Sequence, residues 1–85
     1  MSTVSSLKRV LAELLGDPAL TRTLSDDASL VTDVSLDSLE LLQFMLEVEA
    51  TLGIEVDFAR LDYEQLGSLT DLAAFLDGMP RTTES

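Results

Sequence analysis

Three separate segments of this chain place apolar residues three and four apart, the spacing of one face of an α-helix, and nothing in the sequence supplies paired β-strands. In the first segment Leu7, Val10, Leu11, Leu14 and Leu15 share a stripe, with Ser5 or Ser6 as cap and Gly16, ahead of Asp17-Pro18, as terminator. The second runs from about Ser38 to Leu52 and is closed by Gly53. The third starts at Ser68, with Asp71 in a capping-box pattern, keeps Leu69, Leu72, Ala73 and Leu76 to one side, and ends at Gly78 and Pro80. A one-turn helix is expected over Asp62 to Leu66, capped by Asp62 and stopped by Gly67. Ile54 to Phe58 alternates like a strand, but without a partner it reads as an extended loop that buries Ile54 and Val56. The connection 16–36 is long for a small domain; Pro18 starts a short helical turn behind Asp17, and Leu20, Leu24, Leu30 and Val34 pin it to the core. The expected fold is therefore all-α: a small bundle of three main helices plus one short helix, with a long loop between the first and second. With 85 residues the chain is one domain, its ordered core at about 5–77 and a frayed tail at 78–85.

Composition narrows the chemistry. At 46% hydrophobic residues the chain is too apolar to remain disordered. It has no Cys and no His, which removes a disulfide framework, a thiol nucleophile, the commonest general base and the commonest metal ligands. Those absences argue against a self-contained hydrolase. Sixteen acids against five bases give a net charge of −11, which argues against nucleic-acid and anionic-membrane partners. No stretch reaches the length of a membrane span, and Glu13 interrupts the apolar run that follows Lys8 and Arg9, so no export signal is read and a cytoplasmic location is expected. Between Arg22 and Arg60 there is no base at all, while Asp26, Asp27, Asp33, Asp37, Glu40, Glu47, Glu49, Glu55 and Asp57 fall in that interval. Such a field either keeps an apolar domain in solution or steers basic partners. A calcium loop is not written there: neither 26-DDASLVTDVSLD-37 nor 33-DVSLDSLE-40 has the glycine that such a loop requires.

The second helix carries more apolar surface than a two-layer bundle needs. At 100° per residue, Leu41, Phe44, Met45, Val48 and Leu52 form a core stripe. Leu39, Leu42 and Leu46 form another, roughly 130° away, and Glu40, Gln43 and Glu47 fill the remaining face. Two readings fit: a central helix packed on both sides, or a docking surface of leucines bordered by glutamates. Both hold if the short helix covers part of the second stripe. At the head of this helix Asp37 is a good N-cap and Glu40 completes a box-like pair, which leaves Ser38 as an ordinary first-turn residue. The same place also suits a phosphate, because the hydroxyl lies at the positive end of the helix dipole. With no base beside it, Ser38 is suited to being modified rather than to acting as a nucleophile on its own.

Asp37-Ser38-Leu39 at a helix start, followed by Glu40-Leu41-Leu42 and by Glu47 to Val56, resembles the acyl carrier protein family, and Leu69 to Leu76 is similar to that family's last helix. The resemblance spans about Leu7 to Leu76. It implies a monomeric, non-catalytic carrier in which a phosphopantetheinyl transferase esterifies Ser38 with 4′-phosphopantetheine from coenzyme A. The arm's thiol would hold an acyl cargo as a thioester, supplied by an acyl- or aminoacyl-loading enzyme and passed to a downstream synthase or transferase. By the same resemblance Asp37, Leu39, Glu40, Leu42, Leu46, Glu47 and Glu49 would form the docking face, and no metal site is implied. The chain departs from the family's pattern at Ser35, where glycine is usual, so the loop is expected to enter the helix differently. It departs also at Gln43 and Ala50, where fatty-acid carriers place acids, and in a slightly longer Asp57–Gly67 segment with Phe58 and Tyr63. These departures, the start at Met1 and the polar tail point to a free-standing carrier of bacterial polyketide or related specialised metabolism rather than housekeeping fatty acid biosynthesis. An aminoacyl or peptidyl carrier of the same shape, or an acidic helical interaction module in which Ser38 is only structural, are the alternatives.

The base-free interval has a consequence for stability. Mutual repulsion among its carboxylates is screened by ions. The melting midpoint should rise from low to moderate ionic strength; a flat midpoint in thermal scans would show that the repulsion is negligible.

Overall fold

A computed structural model describes residues 2–80. Among them the chain is all-helical: α1 (Thr3–Leu15), α2 (Leu20–Thr23), α3 (Ser38–Leu52), a short 3-10 helix (Tyr63–Gly67) and α4 (Leu69–Asp77). The expected tail at 81–85 lies outside the described residues. Nearer the core, Met79 is partly buried against it and the Pro80 carbonyl accepts the Glu55 amide at 2.9 Å, so the chain as far as Pro80 is packed down.

α1 begins earlier than expected. Ser2, not Ser5 or Ser6, is its N-cap, its Oγ accepting the Ser5 amide at 3.1 Å. The extra turn places Val4 three residues before Leu7, which extends the apolar stripe and gives the longer helix a packing advantage. α3 has the expected limits. The Asp37 carboxylate accepts the Glu40 amide at 2.7 Å, the Glu40 carboxylate accepts the Asp37 amide at 3.1 Å, and Gly53 at φ 66° closes the helix.

Phe44, Met45 and Val48 from α3 meet Leu7, Val10 and Leu11 from α1 and Leu69, Leu72, Ala73 and Leu76 from α4 in a single core. Leu41 and Leu52, expected in that stripe, are partly buried at its margins. Ile54 and Val56 are buried as expected, and the Glu49 carboxylate accepts the Val56 amide at 2.7 Å to hold them there. The short helix corrects one expectation. It packs on α4 rather than on α3, so it does not cover the second leucine stripe. Only Ser68 separates it from α4, and its Leu66 is turned inward, so it has no reach toward α3.

The long connection is tied down by its backbone. Leu30 donates to the Leu66 carbonyl at 2.9 Å, while Leu69 and Thr70 donate to the carbonyls of Ala28 and Asp26 at 3.0 and 2.9 Å. Leu30 is the main apolar pin, joined by Ala28, which the sequence reading did not single out. Leu24 and Val34 are half-buried against the core, and Leu20 is peripheral to it. Behind Asp17, α2 forms where a turn was expected, with Asp17 Oδ1 accepting the Ala19 amide at 3.2 Å.

Ser35, in the loop that enters α3, has φ 61°, a left-handed backbone at a residue that carries a side chain. A side chain in that conformation costs roughly 1–2 kcal/mol, partly balanced by the greater unfolded-state entropy of glycine, about 0.5–1 kcal/mol. Ser35→Gly is therefore expected to stabilise the fold by about 0.5–1 kcal/mol, seen as a melting midpoint higher by a few degrees. A lower midpoint would mean that the serine hydroxyl, 3.4 Å from the Thr32 carbonyl, outweighs the strain.

Candidate functional site

Two features of α3 stand out against the rest of the molecule: its first turn and its outer face. At the first turn Ser38 is exposed, one residue inside the helix. The capping box uses the Asp37 and Glu40 amides and both carboxylates. Among the described residues the Ser38 hydroxyl and the Ser38 and Leu39 amides have no hydrogen-bond partner. Unfilled donors at a helix N-terminus, with the positive end of the dipole behind them, favour an oxygen-rich anion. A phosphodiester on Ser38 therefore fits the space and the donors present. The chain holds no histidine to activate the hydroxyl, so any reaction there needs a base from elsewhere.

The outer face continues from that turn. Leu39, Leu42 and Leu46 are 64%, 49% and 51% exposed, so the second stripe is not part of the core. Glu47, Gln43 and Ala50 are exposed alongside them, and Glu40 is partly exposed within its cap. Leu46, Glu49, Ala50, Ile54 and Glu55 line a shallow depression of about 400 Å³ at the far end. Asp37, Ser38, Leu39, Glu40, Leu42, Leu46 and Glu47 thus lie along one surface. Glu49 stands apart, since one of its oxygens is committed to the Val56 amide and the residue is partly buried. Phe58 and Tyr63, 44% and 70% exposed, belong to the loop and short helix beyond α3.

No three acidic side chains among the described residues converge to hold a metal ion. No helix among them is long and apolar enough to cross a membrane. The sequence reading counted Asp33 only among the acids and did not single out Ser29; the two organise the loop before Ser38. Their signal was a serine followed within a turn by an acid, a spacing close to that of a capping box.

Comparison with known proteins identifies the family. The family model for the phosphopantetheine attachment site matches residues 5–76. The acyl carrier protein of Thermotoga maritima is 27% identical over 73 residues, covering 86% of this chain and 85% of that protein. The match sets aside an interaction module without a carrier arm. The chain belongs to the acyl carrier protein family, carriers that bear a covalent 4′-phosphopantetheine and are not themselves enzymes.

Proposed function

We propose that Ser38 is the residue that receives the 4′-phosphopantetheine, and that the outer face of α3 docks the enzymes that act on it. The observation that carries the reading is the exposed, unbonded Ser38 hydroxyl, beside two unfilled amides, in the first turn of α3. Family members work with a phosphopantetheinyl transferase and with acyl-handling enzymes. In this reading the transferase removes the Ser38 proton, and Ser38 Oγ forms the new phosphate ester as adenosine bisphosphate leaves coenzyme A. The group supplies a terminal thiol that holds cargo as a thioester. The protein's own part is to present Ser38, keep it in water and offer a recognisable surface around it.

That surface is Asp37, Leu39, Glu40, Leu42, Leu46 and Glu47, with Glu49 bracing its far end from within. Leucines at the centre give close contact, and the acids steer a basic partner. The cargo is proposed to be an acyl group of bacterial polyketide or related specialised metabolism. Exposed Gln43 and Ala50 leave α3 less acidic than a fatty-acid carrier's face, and exposed Phe58 and Tyr63 add an aromatic surface nearby. The proposed setting is a monomer in the cytoplasm, where coenzyme A and the transferase are at hand. A loading assay with acyl- and aminoacyl-activating enzymes separates this cargo from an amino acid.

Incubation with coenzyme A and a broad-specificity phosphopantetheinyl transferase, read by intact mass, should add one arm to the wild type. Ser38→Ala should add none while melting at the same temperature. An unchanged wild-type mass, with the enzyme active on a control, would end the Ser38 reading.

The two faces of α3 should respond in opposite ways. Met45 is 1% exposed, and Met45→Ala should cost about 2–5 kcal/mol of stability. Leu46→Ala, at a half-exposed position, should cost well under about 2 kcal/mol yet slow modification or loading of Ser38 more than Met45→Ala does at a temperature where both are folded. Melts and one transfer assay on each variant decide it. Equal destabilisation by the two would return Leu46 to the core and move the docking surface elsewhere.

A further inference from the structure

The residues just ahead of α3 are closed on themselves by hydrogen bonds. Asp33 Oδ2 accepts the Ser29 amide at 2.8 Å, and Ser29 Oγ accepts the Val31 and Thr32 amides, each at 3.1 Å. The Ser29 carbonyl accepts the Asp33 and Val34 amides, both at 3.0 Å. Leu30 projects from this turn into the core at 1% exposure. Its amide donates to the Leu66 carbonyl at 2.9 Å, and its carbonyl accepts the Leu36 amide at 3.0 Å. Leu36 is two residues before Ser38. The path from the Asp33 carboxylate to Ser38 is therefore one turn, one buried leucine and one backbone hydrogen bond.

We propose that Asp33 is a positioning residue for modification of Ser38: its carboxylate closes the turn that begins at Ser29 and so sets where Leu36, Asp37 and Ser38 leave the core. The inference rests on Ser38 being the attachment point. Asp33 has a competing use, because it is exposed and belongs to the base-free acidic interval, where its charge alone could attract a basic enzyme. The two uses depend on different properties of the side chain. Closing the turn needs an oxygen acceptor at the Ser29 amide, whereas steering needs a negative charge. Asparagine keeps the acceptor and loses the charge. A displacement of about 1 Å at a reacting group costs on the order of a hundredfold in rate, so a loosened turn should cost on the order of tenfold.

The test is the kinetics of phosphopantetheinyl transfer from coenzyme A to wild type, Asp33→Ala and Asp33→Asn, at low and moderate salt, below their melting midpoints. Asp33→Ala is expected to lower kcat on the order of tenfold with little change in KM for the carrier, and Asp33→Asn to restore most of it. Hydrogen exchange at the Leu36 amide should quicken in Asp33→Ala and not in Asp33→Asn. Equal losses in both variants that shrink as salt is raised would assign Asp33 to steering and overturn the proposal, as would a wild-type kcat in Asp33→Ala. Should Asp33→Ala fail to fold, Asp33→Asn alone decides: kcat close to wild type at both salt concentrations supports the acceptor role, and a loss that shrinks as salt is raised overturns it. A wild-type protein that gains no arm refutes the Ser38 reading itself. A wild type that is modified at the same rate as Asp33→Ala refutes only the role of Asp33.

Discussion

The fold depends on a mutual arrangement between the long connection and the start of α4. A helix begins with amides that have no partner inside it, and a loop of this length carries backbone groups that must find partners or stay in water. Here each answers the other: the Ala28 and Asp26 carbonyls accept from Leu69 and Thr70, and the Leu66 carbonyl accepts from Leu30. Leu30 and Ala28 are buried by the same contact, so backbone pairing and apolar burial act at one place. Because Leu36 is bonded back to Leu30, the start of α3 is referred to that junction rather than hanging from a free loop. A mobile connection would leave Ser38 at no defined height above the core.

The second organising fact is the division of α3 into two apolar faces with opposite fates. Phe44, Met45 and Val48 are almost wholly buried, while Leu39, Leu42 and Leu46 are about half to two-thirds exposed. Scattered apolar side chains at a surface are ordinary, but a contiguous row on one helix invites association. A net charge of −11 opposes association between copies of the chain while leaving the row accessible to a basic partner. Under the proposed docking role, acidity and exposed leucine act together, the charge repelling like molecules and the row admitting unlike ones.

Legibility in the sequence followed how local each cause was. α3 could be read to the residue, because Asp37, Glu40 and Gly53 are complete local signals at both ends. The buried positions of α4 were equally readable from their spacing. The start of α1 was not, since several hydroxyl residues compete as caps and the choice of Ser2 is tied to the packing of Val4. The partner of the short helix depends on tertiary placement, which no local pattern contains. Ser35 is the sharpest case: serine does not advertise a left-handed backbone, and the conformation accompanies a return bond from Leu36 to Leu30 that no local pattern contains. Ser38 itself was legible as a first-turn hydroxyl, but its freedom from partners is a property of the capping box around it.

One tension remains at that serine. A phosphodiester there is an anion set among acids, with Asp37 and Glu40 in the same turn. In water, two unit charges roughly 6 Å apart repel by about 0.7 kcal/mol, and salt at physiological strength reduces this further. The helix N-terminus offsets about 0.3–1 kcal/mol of it, through donors that the capping box leaves unused at Ser38 and Leu39. The terms are of similar size only while the site stays in high dielectric. Buried, the same charges would repel several-fold more strongly, and neither carboxylate could be spared because both close the cap. Exposure of Ser38 is therefore what would allow the proposed phosphodiester and the two capping carboxylates to occupy the same turn of helix.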